Sequence, residues 1–248
     1  MQNDPHSSPY DEPTAAVNLP QGPVKPVSVT AGSGLNWVSD AWALFKSSPW
    51  MLIALWLVLL VAVTAANIIP LVGQLLTPVL MAGFIMGVAQ LDRGEKLSIE
   101  SIFAGFKNHA APLLVLGGIF IVTIILLILV CWLFVALAIN AMNSGSGVAV
   151  VLGAFLLIAV GAFAILMVVF AMWWSPSLIV FNQQRPWQAM KNAIIAIFRN
   201  FIPCLVYGLI LLLLYLVVVV TAGLGVIVVG PLVIVSAYTS YKDIFRPV

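Results

Sequence analysis

Charged residues occur in this chain only before the first apolar block, between alternate blocks and after the last, and that spacing limits the folds open to it. Six blocks stand out, at about 50–69, 71–91, 112–141, 148–174, 202–222 and 224–241. An α-helix needs about 20 apolar residues to cross the hydrocarbon core of a bilayer. All ten basic residues fall in four regions. Lys25 and Lys46 precede the first block, and Arg93, Lys96 and Lys107 follow the second. Arg185, Lys191 and Arg199 follow the fourth, and Lys242 and Arg246 follow the sixth. The remaining connections, at 67–74, 143–147 and 222–225, carry no charge. With six spans the basic regions share one side, which the positive-inside bias makes cytoplasmic. Five or seven spans would scatter them across both.

Composition agrees. The 248 residues are 63% hydrophobic and 7% charged, against about 25% charged in soluble domains. Long unbroken apolar runs read as helices, since barrel strands alternate. The expected fold class is all-α: a polytopic membrane helical bundle with six transmembrane helices. The expected location is a bacterial inner membrane, multi-pass, with both termini cytoplasmic. The first apolar block follows a polar segment and is expected to remain as a span. The third and fourth blocks are long enough to require tilt or protrusion; the sixth is short and rich in glycine. A net charge of +2 gives no basis for nucleic-acid binding.

Residues 1–34 carry Pro5, Pro13, Pro20, Pro23 and Pro26 with little apolar periodicity. They read as a disordered Pro-rich tail unable to offset its ordering entropy. Residues 35–248 form the membrane domain.

The stretch SIESIFAGFKNHAAP at 98–112 is too charged to cross a bilayer. Ile99, Ile102, Phe103 and Phe106 stand at i, i+3, i+4 and i+7, one face of a helix. Ser98 suits an N-cap, with Glu100 near the positive end of the helix dipole. Apolar residues gain about 0.3–0.6 kcal/mol each at mid-membrane, while a charged one costs about 2.5–3.5. An amphipathic helix lying in the interface follows. The frame recurs at Val38, Ala41, Trp42 and Phe45, then Lys46, Ser47 and Pro49. It recurs again at Lys191, Ile194, Ile195 and Phe198, then Arg199, Asn200 and Pro203. Lys46, Lys107, Lys191 and Arg199 are thus candidates to meet lipid phosphates. Each second span carries a proline, at Pro78, Pro176 and Pro231, which tends to kink a spanning helix. The matching order of motifs predicts a threefold internal repeat over 35–93, 97–185 and 186–246. Each unit is a surface helix followed by a two-span hairpin.

Nothing in the chain has the pattern of a catalytic, cofactor or metal site. No charged residue falls inside a predicted span, which argues against ion-coupled transport. Asn67, Gln74, Thr77, Thr123, Asn140, Tyr207, Tyr215, Thr221 and Ser236 are explained by caps and helix–helix hydrogen bonds. Cys131 and Cys204 read as small apolar-core residues and His109 as a solvated interface histidine. Asp92, Glu95 and Glu100 are interleaved with Arg93 and Lys96, as in a solvated mixed-charge turn. Gly83 and Gly87 form a GxxxG expected to mark close helix packing within the bundle. Trp50, Trp173, Trp174 and Trp187 fit an aromatic belt at the membrane interface.

The stretches LNWVSDAWALFKSSPW, IIPLVGQLLTPVLMAG and PSLIVFNQQRPWQAMKNAIIAIFRNFIP resemble an uncharacterised family of bacterial inner-membrane proteins. That family is similar to the multi-span membrane region found beside some glycerophosphodiester phosphodiesterases. The resemblance covers about 35–245 and implies a six-span bundle. It transfers no catalytic residue, and the chain lacks an acidic/His cluster of the kind a phosphodiesterase domain needs. The functional expectation is a non-enzymatic scaffold or partner protein in envelope or lipid homeostasis, needing no cofactor. Its partners are then membrane lipids and other membrane proteins, with oligomeric state open. The alternative is a transporter or channel for an apolar or lipid-like substrate.

Overall fold

The computed structural model describes residues 24–143 and 147–246. They form nine α-helices: α1 Ser33–Ser47, α2 Pro49–Ala66, α3 Pro70–Asp92, α4 Ala104–Asn108, α5 Ala110–Asn143, α6 Gly147–Asn182, α7 Pro186–Arg199, α8 Phe201–Val220 and α9 Val226–Ile244. A 3-10 turn, Ile99–Phe103, leads into α4. Among the described residues six helices (α2, α3, α5, α6, α8 and α9) are long and apolar enough to cross a membrane. The chain is an all-helical integral membrane protein. Prolines start α2 and α3, where the lost N–H is one that a first turn leaves unbonded anyway. Pro78, Pro176 and Pro231 lie inside α3, α6 and α9.

The three surface segments do not pack on their own hairpins alone. The 3-10 turn and α4 of the second unit lie on α3 of the first. The α7 helix of the third lies on α6 of the second, and α1 of the first lies on α8 and α9 of the third. Each unit therefore rests on the one before it, and the first closes the ring on the last.

Burial follows this arrangement. Ala41, Phe45, Ile102 and Ile197 are buried, whereas Trp42, Phe103, Phe106, Trp187 and Phe198 are exposed. The apolar face read from the sequence as membrane-facing is thus divided, part packed on a neighbouring hairpin and part left outward. In the second spans, dense burial sits mostly on the C-terminal side of the internal proline. Val79, Phe84, Ile85 and Val88 in α3 and Leu178 and Ile179 in α6 are buried, as are Val235, Tyr238 and Tyr241 in α9. The core therefore lies towards the charged end of the bundle.

Hairpin lengths differ. Trp174 Nε1 donates to Ser240 Oγ at 3.0 Å, which registers α6 against α9. From there α6 extends 27 residues back to Gly147 and α9 only 14 back to Val226. The α5/α6 hairpin thus reaches about 20 Å further at 1.5 Å per residue.

Part of the segment read as a disordered tail, residues 24–34, lies among the described residues and is packed on the bundle. Residues 1–23 lie outside the described residues. Residues 24–29 form an extended strap across the charged end, and α1 begins at Ser33. The Val27 amide donates to Ile244 O at 2.8 Å. Asn200 accepts from the Val29 amide at 2.8 Å and donates to Val27 O at 2.9 Å. Arg199 donates to Pro26 O at 3.1 Å, and Gln184 to Val24 O at 3.2 Å. This stretch, outside any helix, is held largely by side chains more than 150 positions away.

Candidate functional site: a polar keystone and an apolar groove

The second half of α9, SAYTSYKDIF, is the polar hub of the bundle. Tyr238 donates to Asp92 Oδ2 at 2.8 Å, and Lys242 pairs with the same oxygen at 2.5 Å. Tyr241 donates to Asn182 at 2.6 Å. Trp37 Nε1 donates to Asp243 at 2.9 Å, and Thr239 to Trp37 O at 2.7 Å. Tyr207 and Ser236 share a hydrogen bond at 2.7 Å. One helix thereby ties α1, α3, α6 and α8 together. A ladder of rings fills the same level. Trp174 meets Phe245 at 6.1 Å, Phe245 meets Tyr241 at 5.7 Å, and Tyr241 meets Phe181 at 5.5 Å.

Four other polar residues of the spans satisfy themselves locally. Asn67 donates to Val63 O, Thr77 to Gly73 O, Thr123 to Ile119 O and Thr221 to Val217 O. Such bonds to the preceding turn leave little hydrogen-bonding capacity for a substrate.

The acidic residues near the second connection are not gathered. Asp92 is bound to α9, and Glu95 pairs with Arg93 at 2.7 Å. That pairing lowers the Glu95 pKa and raises that of Arg93. Partial burial at the end of α4 lowers the His109 pKa. Among the described residues no three His, Cys, Asp or Glu side chains come together in a metal-binding group.

The GxxxG glycines lie at a crossing inside the molecule. A Cβ on Gly83 would overlap the Ile102 backbone, and one on Gly87 would overlap Ser101. Lys46, Lys107, Lys191 and Arg199 are exposed on the surface segments, on three different sides of the ring. Arg199 is the one of the four seen bound to the strap.

A further departure from threefold regularity lies outside the sequence reading. The first span of each unit meets the second span of the preceding unit along a seam. In one seam α5 lies close on α3, where Gly117 fits against the backbone of Gln74 and Leu75. In the next, the Trp56 indole of α2 packs over Gly230 of α9. In the third, α8 touches α6 through Tyr207 and Trp173, whose rings are 6.4 Å apart and edge-on. Along the rest of that seam it stands off. A groove of about 420 Å³ results, lined by Phe163 and Phe170 of α6, Phe198 of α7, and Cys204 and Gly208 of α8. Gly208 faces open space. A sequence signal exists: PLLVLG at 112–117 and PCLVYG at 203–208 place a proline and a glycine at equal spacing in α5 and α8. The repeated motif marks the seam, but whether the seam closes depends on what stands opposite.

No family model, curated protein or solved structure matches the chain. Its function has to be argued from its own geometry.

Proposed function

We propose that this chain is a non-enzymatic scaffold of the bacterial inner membrane, acting through membrane lipids and partner proteins in envelope or lipid homeostasis. Its termini and basic surface segments are cytoplasmic in this reading, following the charge bias. The aromatic ladder around α9 carries the proposal. It fills the charged end of the bundle, across which a transport path would have to run, and α9 around it is hydrogen-bonded to four other helices. The described charged side chains sit at one end, and Lys46, Lys107 and Lys191 among them are exposed there to partners and lipid headgroups.

Two measurements test this reading. Full-length protein in vesicles carrying a fluorescent phospholipid should leave the inner-leaflet half of the dye protected from an impermeant quencher. Rapid loss of that half would replace the scaffold reading with lipid transport. A photo-crosslinker at Phe103 or Trp187, both exposed, should give discrete protein adducts in native membranes. Adducts to lipid alone would remove the partner-protein part.

A further inference from the structure

We propose that the groove between α6 and α8 binds one acyl chain of an anionic glycerophospholipid from the leaflet facing α7. The site does not rest on the scaffold reading, because it concerns a lipid held and not one moved.

Three observations point to this occupant. The first is length. The groove runs from Phe201 to Leu211 on α8 and from Phe163 to Trp174 on α6, about 15 Å at 1.5 Å per residue. That is half of the ~30 Å hydrocarbon core, the depth of one leaflet. A partner helix would need a longer track.

The second is chemistry. The wall is apolar, and Tyr207 presents its ring because its hydroxyl is taken by Ser236. The volume of about 420 Å³ falls within the ~300–1,000 Å³ range of small-ligand pockets.

The third is charge. The groove opens beneath α7, whose Phe198 forms part of its wall. Lys191 lies seven residues before Phe198, two turns along the same exposed face. Arg185, Arg199 and strap residue Lys25 surround the same helix, and no acidic residue occurs anywhere between 108 and 241. By contrast α1 contains Asp40, and the second surface segment contains Glu100. Cationic side chains on and beside α7, at the mouth end of an apolar slot one leaflet deep, complement a phosphate with its attached chain.

The test is native mass spectrometry of the full-length protein. It is equilibrated in nanodiscs of equimolar phosphatidylglycerol and phosphatidylcholine, then washed in mild detergent. One lipid per protomer should remain, mostly phosphatidylglycerol. Gly208→Trp fills the groove and should cut retention of both lipids at least tenfold, while Gly208→Ala keeps it. Leu205→Trp, at a half-exposed groove position, serves the same purpose should Gly208→Trp not yield folded protein. Lys191→Gln should reduce the preference for phosphatidylglycerol roughly fivefold and leave phosphatidylcholine unchanged. Groove-filled variants that retain lipid like the parent, or a parent that retains none, overturn the site. Equal retention of the two lipids by the parent overturns its anionic headgroup.

Discussion

Gly83 shows how little room a crossing leaves. Its missing side chain lets the Ile102 backbone lie directly on α3, and Ile102 itself is fully buried. Gly83→Leu should therefore destabilise the protein by about 1–3 kcal/mol through overpacking, read as a lowered unfolding midpoint in detergent. At Gly153 a methyl group would meet no neighbour within 4 Å, and Gly153→Ala should leave the midpoint unchanged or slightly raised. Equal effects from the two would mean that the crossing carries no packing load. The GxxxG spacing was legible as a packing site, because small residues one turn apart permit close approach whatever the partner. The partner was not legible: a 3-10 turn some 20 positions downstream meets it, and no spacing rule reaches across a turn of that length.

At the level of elements, the strap of residues 24–29 gives the clearest case of tertiary contacts overriding local preference. It lies outside any helix and makes no regular hydrogen bonds of its own. Asn200, between α7 and α8, supplies both a donor and an acceptor to it, and a further bond to Ala196 O at 3.1 Å fixes the side chain. Asn200→Ala should speed amide hydrogen exchange at Val27 and Val29 at least tenfold while leaving α9 protected. Unchanged exchange there would show that the strap is held without Asn200. The first and third surface segments were legible as helices, since their periodicity and flanking charges are local, whereas the second is a 3-10 turn and a short α4 and not the single helix its periodicity predicts. Their packing was only half legible. A helix with a broad apolar face looks the same in sequence whether it meets lipid or protein, so Ala41, Phe45, Ile102 and Ile197 could not be told from their outward neighbours.

The whole molecule is a ring of three hairpins in which α1 rests on the last unit, and its described ends are adjacent through the Val27–Ile244 bond. A permutant that links residue 246 to residue 24 and opens the chain at 94–97 should insert, stay monodisperse and keep its unfolding midpoint within a few degrees. Failure to insert or fold would sink the ring description. Six spans, their order and the grouping of charges at one end were all present in the sequence. Bilayer thickness and the cost of burying charge act on each segment separately, so a one-dimensional pattern records them. Ring closure, the aromatic ladder around α9 and the open α6/α8 seam belong to the tertiary structure alone. They depend on which apolar surfaces face each other, and apolar side chains in a membrane carry no label for their partner. Gly117 and Gly208 hold the same place in repeated motifs, yet one closes a seam and the other lines a groove. The difference lies in the helix opposite, which only the folded chain brings into view.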